Sequence, residues 1–221
     1  MITLALDAST YVGDVALLHG ARVVAEAHTA MKGADEERLM PAVARVLSEA
    51  GVGVDDIDRV VCGAGPGSFT SLRIAGAIAK GIAMGVGCPL YAVPSMALVV
   101  GGGDIGVGRF LVAIDALRGE LYVGLFDVEA DGTAHELEPA RLIPAGEVDR
   151  VAAEYDARIV SPIQGIGASS GRPRAAAVAK LGGMLEERGP VEIASWEPSY
   201  GRLAEAQVRW ESAHGRPLPT R

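Results

Sequence analysis

The sequence predicts an α/β protein with two related halves. Short apolar runs, typical of buried strands, alternate with longer segments in which apolar residues recur at helical spacing. The residues at 4–8 are echoed at 112–116, and each run is an apolar strand that ends in Asp-Ala. A glycine-dense stretch at 101–108 separates the two copies. Together these features favour duplicated strand–helix halves within a chain of 221 residues.

The echo continues at one fixed offset, because residues 15–18 align with residues 123–126. A strand with a terminal Asp, a turn and a returning strand therefore occur twice. We place the boundary in the glycine cluster. This gives an N-terminal half at 1–104 and a shortened C-terminal half at 105–221, which ends in a polar tail predicted to be helical at 203–213.

The remaining elements follow from periodicity and from turn residues. A hairpin turns at Gly20-Ala21, and the next helix is capped by Asp35 and ends at Gly51. Pro41 lies inside that helix and should bend it or loosen one hydrogen bond. Strands are expected at 3–6, 13–19, 22–28, 59–62 and 90–93, and helices at 35–51, 70–85, 147–155 and 174–188.

Composition narrows the function classes. The formal net charge of −8 and the lack of a basic run argue against a chain that grips nucleic acid alone. Cys62 and Cys88 have apolar neighbours and no CxxC spacing, so we expect two core residues. The uncharged stretch at 81–103 is broken by Pro89 and Pro94, so we expect no membrane span but a soluble, cytoplasmic protein.

Catalytic patterns are missing from the sequence. The four histidines, His19, His28, His135 and His214, are scattered and form no HxxxH or HExxH spacing. No pattern in the sequence sets a Ser, a His and an Asp together as a catalytic triad. We therefore predict no metal site, no cofactor and no catalytic residue.

A glycine-dense turn between a strand and a helix, at 63–68, is the first candidate site. It is not a dinucleotide fingerprint, because the sixth position is Ser68, and no Gly-Lys-Ser/Thr closes it as a P-loop would. Two interpretations stay open: free backbone N–H groups that accept an anion, or glycines that permit unusual backbone angles and close packing. The candidate anion or nucleotide residues are Asp7, Ser9, Thr10, Gly65, Gly67 and Ser68.

The helix after this turn is the second candidate. Between 71 and 85 its only charges are Arg73 and Lys80, so most of its circumference is apolar. One face would cover the sheet, and another would meet a partner together with the preceding helix. The alternative is that both helices pack wholly within one domain. The candidate interface residues are Leu39, Met40, Val43, Leu47, Leu72, Ala75, Ala79 and Ala83.

The run GAGPGSFTSLRI at 63–74 closely resembles the hallmark of the TsaB (YeaZ) family, GxGPGSFTGLRIG. Further matches occur in order at 6–10, 37–41 and 113–116, so the resemblance covers most of the chain. It implies the actin/hexokinase/Hsp70-like (ASKHA) fold, with two related subdomains that each hold a mixed β-sheet and helices. This sequence departs from the family pattern at Asp35, where many relatives have His, and at Ser71 and Ala75, where the hallmark has glycine.

The resemblance also implies a function. Members of this family are non-catalytic partners in threonylcarbamoyl transfer to the adenosine beside the anticodon of tRNAs that read ANN codons. The implied partners are a TsaD-type catalytic subunit and a TsaE-type ATPase, with a homodimer in isolation and tRNA contacted only through the complex. Pairing is expected through the two helices of the first half.

Two other functions compete with this one. A small-molecule kinase of the same fold would use Asp7, Ser9 and Thr10 on the phosphates of ATP, but the second copy at Asp115 lacks the following hydroxyls. A metallopeptidase would need a metal site, for which the sequence offers no paired ligands.

Overall fold

The computed structural model describes residues 1–31, 38–102, 105–201 and 214–215. The predicted cap Asp35 and the predicted helix at 203–213 lie outside these residues.

The first half is built on a sheet of five strands, in the order β3-β2-β1-β4-β5. The strands are β1 (Ile2–Asp7), β2 (Val12–His19), β3 (Arg22–Ala30), β4 (Arg59–Gly63) and β5 (Leu90–Val93). β1, β2 and β3 pair antiparallel, whereas β4 and β5 run parallel to β1. The helices are α1 (Leu39–Ala50), α2 (Phe69–Val86) and the short α3 (Ala97–Val100). The predicted strands of this half are confirmed.

The second half repeats this topology. Its strands are β6 (Gly108–Asp115), β7 (Glu120–Val128), β8 (Ala134–Pro144), β9 (Arg158–Ser161) and β10 (Ser169–Ser170), in the order β10-β9-β6-β7-β8. β6 takes the place of β1, with an antiparallel neighbour on one side and a parallel one on the other. The predicted duplication is therefore present in the architecture, while the boundary between 104 and 105 stays a prediction.

The two hairpins differ by one residue. Asp7 pairs with Asp14 in the first half. Its counterpart Asp115 pairs with Leu121, one position before the residue that the sequence offset predicts. The second turn is thus tighter, and residues Leu117 and Arg118 within it adopt φ values of 63° and 58°.

The layers place a continuous core between the two sheets. α3, a 3₁₀ helix at Ala175–Lys180 and α5 (Gly182–Arg188) fill this central layer, with side chains of both sheets. α1 and α2 cover the outer face of the first sheet, and α4 (Val148–Glu154) covers the outer face of the second. The single helix predicted at 174–188 is wrong, because it divides at Leu181, just before the helix-disfavouring pair Gly182-Gly183.

Helix α1 has a regular first turn and ends at a glycine. In α1 the first helical hydrogen bond runs from Ala42 N to Arg38 O, so Pro41 lies in the first turn, where no N–H is required. The expected loss of a hydrogen bond at Pro41 therefore does not occur. Gly51 ends α1 in the left-handed region at φ 64°, as predicted.

Helix α2 is long and apolar enough to cross a membrane by length and composition alone. Core helices of soluble proteins meet the same criteria. Here one side of α2 packs against β1, β4 and β5 of the first sheet, so the apolar residues on that side already have a place in the protein core.

Candidate functional site

The glycine-dense turn packs closely against Asp7, at the end of β1, and against Ser9, two residues later. A Cβ atom added at Gly63 would lie 1.9 Å from Asp7 Oδ2, and one added at Gly67 would lie 2.0 Å from the carbonyl oxygen of Ser9. The amide of Ser68 donates to that same carbonyl at 2.8 Å. Close packing therefore explains why these two positions are glycine, in agreement with the second of the two interpretations.

Asp7 is fully buried, and both of its carboxylate oxygens accept hydrogen bonds from the protein. Oδ1 accepts the Ser9 amide at 2.9 Å and the Ser9 hydroxyl at 2.8 Å, while the Ser95 hydroxyl donates to Oδ2 at 2.5 Å. Ser95 Oγ in turn accepts the amide of Gly65 at 2.9 Å. This network ties the end of β1 to the glycine turn.

Burial raises the pKa of Asp7 above its ordinary value, and the nearby Asp14 carboxylate acts in the same direction. The hydrogen bonds from Ser95 and Ser9 oppose this effect. A carboxylate that is surrounded in this way does not face solvent. Its oxygens are already used inside the fold, and the assignment of Asp7 to an anion or nucleotide site stays a prediction.

A cleft of about 1250 Å³ lies between the two halves, at the carboxyl ends of β1 and β6. Of the six candidate anion residues, Ser9, Thr10, Gly67 and Ser68 line it, whereas Asp7 and Gly65 do not. An anion held by these four residues stays a prediction. Within the described part of the chain, no group of three or more His, Cys, Asp or Glu residues could hold a metal ion.

Two arginines at this cleft already have acidic partners. Arg172 donates to Asp14 at 2.5 Å, and Arg174 donates to Glu26 at 2.8 Å. The backbone amide of Ala175 also donates to Asp14, at 2.8 Å. These bonds join the second half to β2 and β3, so the same arginines hold the two halves together.

Most of the predicted partner residues lie in the core. Six of the eight have 0% exposed surface: Leu39, Val43, Leu72, Ala75, Ala79 and Ala83. Their assignment to a partner surface is corrected, because a side chain without accessible surface contacts only its own fold. Leu47 is half-buried, and Met40 is 43% exposed. The row Ala75, Ala79 and Ala83 is the side of α2 that packs on the sheet.

The opposite side of α2 carries a second row of small residues, Ala77, Gly81 and Gly85, which is exposed. A Cβ atom added at Gly81 or Gly85 would meet nothing within 4 Å. Met84 beside this row is 68% exposed. The sequence-based interface candidates include neither this row nor Met84. The helical offset from the buried alanines is the signal that locates both.

Ile74 and Ile78 border the same row and are half-buried. We call the surface formed by Ile74, Ala77, Ile78, Gly81, Met84 and Gly85 the α2 face. Ser71 and Ala75, where this sequence departs from the hallmark, are both buried. They were expected to enlarge a surface that meets a partner, and the structure places them on the core side instead.

Two five-stranded sheets of the same topology, with helices between and outside them, define the actin/hexokinase/Hsp70-like class of proteins. The family model described as "TsaD: tRNA N6-adenosine threonylcarbamoyltransferase" matches residues 29–183. The chain belongs to this family of proteins, and its relatives place it with the TsaB (YeaZ) members.

Three relatives support this placement. The chain is similar to the tRNA threonylcarbamoyladenosine biosynthesis protein TsaB of Bacillus subtilis, with 29% identity over 95% of this chain and 98% of the relative. It is 34% identical to TsaB of Escherichia coli over 61% of this chain and 59% of the relative. The solved structure of YeaZ from Pseudomonas aeruginosa superposes with a TM-score of 0.75 at 29% identity, covering 90% of this chain and 99% of that chain.

Proposed function

We propose that this chain is a non-catalytic subunit required for threonylcarbamoyl transfer to the adenosine next to the anticodon of tRNAs that read ANN codons. It acts by forming a heterodimer with a TsaD-type catalytic subunit. The relatives named as tRNA threonylcarbamoyladenosine biosynthesis proteins support the pathway. The α2 face supports the mode of action.

The α2 face has the properties of a helix-packing surface. Its central row has no side chain longer than a methyl group, so a second helix can approach closely along it. Met84, Ile74 and Ile78 border the row and supply apolar side chains. Burying one such exposed side chain contributes about 1.5–3 kcal/mol. The exposed Met84 is the observation that carries the proposal. A large apolar side chain at 68% exposure gains free energy when a partner removes it from water.

The remaining partners follow from the same proposal. A TsaE-type ATPase completes the complex, and in isolation the α2 faces of two copies pair in a homodimer. Contact with tRNA comes through the partners, since the net charge of −8 disfavours direct binding to phosphates. The subunit works in the cytoplasm, where its tRNA substrates are. It needs no cofactor of its own.

A small-molecule kinase is the second candidate, and the cleft between the halves is the observation that favours it. The residues present do not fit the group that such a kinase needs. Asp7, which would face a metal–phosphate, is buried with both oxygens hydrogen-bonded inside the fold, and the Ser9 hydroxyl donates to it. The structure therefore supports the partner subunit better than the kinase.

Co-expression with the TsaD-type protein of the same organism tests the proposal. We expect the two chains to elute together in size-exclusion chromatography at micromolar concentration. Separate elution, with all components of the complex present, would contradict it.

A further inference from the structure

The chain segment at 189–201, which we call the strap, leaves α5 in the central layer and crosses to the outer face of the first half. The amide of Val191 donates to Leu90 O at 2.8 Å, at the edge strand β5. The amide of Ser199 donates to Ala64 O at 2.7 Å, in the glycine-dense turn. Val191, Ile193 and Trp196 pack against the core beneath α1 and α2.

The strap lies directly on α2. A Cβ atom added at Gly76 would be 3.1 Å from Cγ of Pro198 and 3.6 Å from Cζ3 of Trp196. One turn further along the helix, Lys80 Nζ lies 5.9 Å from the centre of the Trp196 ring. Lys80 lies three residues after Ala77 and four before Met84, so the strap runs along the border of the α2 face.

The strap also explains a further glycine of the turn. A Cβ atom added at Gly65 would lie 2.3 Å from the carbonyl oxygen of Ser199, and Gly65 has φ 89°. At the far end of the strap, the ring of Tyr200 lies 4.4 Å from that of Phe69 at the start of α2. Because neither glycine has a side chain, Gly65 and Gly76 leave room for the strap, and we call these two positions its seat.

The strap is anchored in the second half as well. The hydroxyl of Tyr122, on β7, donates to the carbonyl oxygen of Tyr200 at 3.1 Å. Gly201 passes so close to Tyr122 that an added Cβ would lie 2.4 Å from its ring. One segment thus connects the second sheet with the helix that carries the α2 face.

We propose that the strap holds α2 in the position that the partner recognises, so that binding by the first half depends on a segment supplied by the second half. This inference rests on the proposed function, and it adds Trp196 and Pro198 as positioning residues behind the α2 face. α2 has three glycines, at 76, 81 and 85, which make an unsupported helix weak. Contact with Trp196 and Pro198 compensates for this weakness on one side.

Gly76→Leu tests whether the strap rests on α2, because a leucine side chain would occupy the space of Pro198 and Trp196. We expect hydrogen exchange at the Ser199 amide to become at least about tenfold faster in native conditions. Gly81→Leu is the matched control: it lies on the same helix, nothing lies within 4 Å of its added Cβ, and it should leave this exchange unchanged. Equal exchange rates in Gly76→Leu and wild type would overturn the seat at Gly76.

Affinity for the TsaD-type partner tests the coupling. We expect Gly76→Leu to weaken it at least tenfold, although Gly76 is buried and lies outside the α2 face. Should Gly76→Leu fail to fold, Trp196→Ala with Tyr200→Ala releases the strap from its own side and should give the same two effects. Faster Ser199 exchange with unchanged affinity would overturn the coupling. Failure of the wild-type chain to bind contradicts the proposed function instead, and the exchange rates still decide whether the strap is seated.

Discussion

Arg172 of the second half donates a hydrogen bond of 2.5 Å to the carboxylate of Asp14 in the first half. The Asp14 side chain is only 3% exposed, and its other oxygen accepts the amide of Ala175 at 2.8 Å. This bond joins the two halves beside the cleft, which Arg172 lines. Together with the continuous core between the two sheets, it fixes the halves relative to each other.

Replacing Arg172 with alanine should destabilise the fold. The Asp14 carboxylate would stay buried with one hydrogen-bond donor instead of two. Breaking a buried ion pair costs roughly 3–5 kcal/mol. Since Arg172 is 29% exposed and the Ala175 amide remains, we expect about 2 kcal/mol from urea unfolding. Arg150→Ala, at an exposed pair with Glu147 and Glu154, is the control and should change the stability much less. Equal losses of unfolding free energy in both variants would contradict a buried bond between the two halves.

Asp7→Asn should change how stability depends on pH. Burial raises the pKa of Asp7 in the folded protein above the ordinary value of 3.8, so the folded state binds a proton more tightly than the unfolded state. The stabilisation from this group is complete below pH 3.8 and is lost as the pH rises through the raised pKa. Relative to Asp7→Asn, the wild type should therefore lose free energy of unfolding as the pH increases above about 4.

Urea unfolding at a series of pH values measures this difference. Asp149→Asn, on the exposed side of α4, is a control that removes one carboxylate without touching the Ser95 network. A difference between wild type and Asp7→Asn that is constant with pH would show that Asp7 is not held in the buried state described above.

The two sides of α2 should respond differently to a charge. Ala79 has 0% exposed surface, so Ala79→Glu buries an unpaired carboxylate and should cost several kcal/mol, about enough to unfold a marginally stable domain. Met84→Glu places the same group in solvent, since Met84 is 68% exposed, and should change the stability by about 0.5 kcal/mol or less. Thermal unfolding distinguishes the two variants. A stable, fully folded Ala79→Glu protein would mean that this side of α2 does not face the core.

Binding of Mg-ATP to the isolated chain should be weak or undetectable by calorimetry at micromolar protein concentration. The reason is that Asp7 accepts hydrogen bonds from Ser9 and from Ser95, so the phosphate-facing groups of a kinase are already engaged. Inorganic phosphate serves as a second titrant for the four cleft residues that stay candidates for an anion. Tight binding of Mg-ATP with turnover of a metabolite would restore the kinase as the function.

The strands and turns of this fold could be predicted from the sequence because they depend on local signals. Gly51 is an example, since a left-handed helix end favours glycine whatever surrounds it. The burial of Ala75, Ala79 and Ala83 was not predictable in this way. Small residues suit both a sheet contact and a helix contact, so periodicity separates the two rows of α2 without saying which row faces inward.

The roles of Asp7 and Gly65 required the structure for a different reason. Their neighbours, Ser95 and Ser199, lie far along the chain, and no local pattern relates them. The strap was hidden for the same reason, because its contacts with Ala64, Gly76 and Leu90 join distant parts of the sequence. Short-range patterns thus predict helices, strands and turns. The reason why a position must be glycine depends instead on packing between distant parts of the chain.

The affinity of the chain for the TsaD-type subunit, measured for Met84→Glu and for Val107→Glu, tests the central claim most directly. Val107 is a comparable exposed apolar residue at 59% exposure, placed before β6 and away from α2. We predict that Met84→Glu weakens binding at least about a hundredfold, equal to about 2.7 kcal/mol, while Val107→Glu binds like the wild type. Equal affinities for Met84→Glu and wild type, with both proteins folded, would contradict a partner surface on α2.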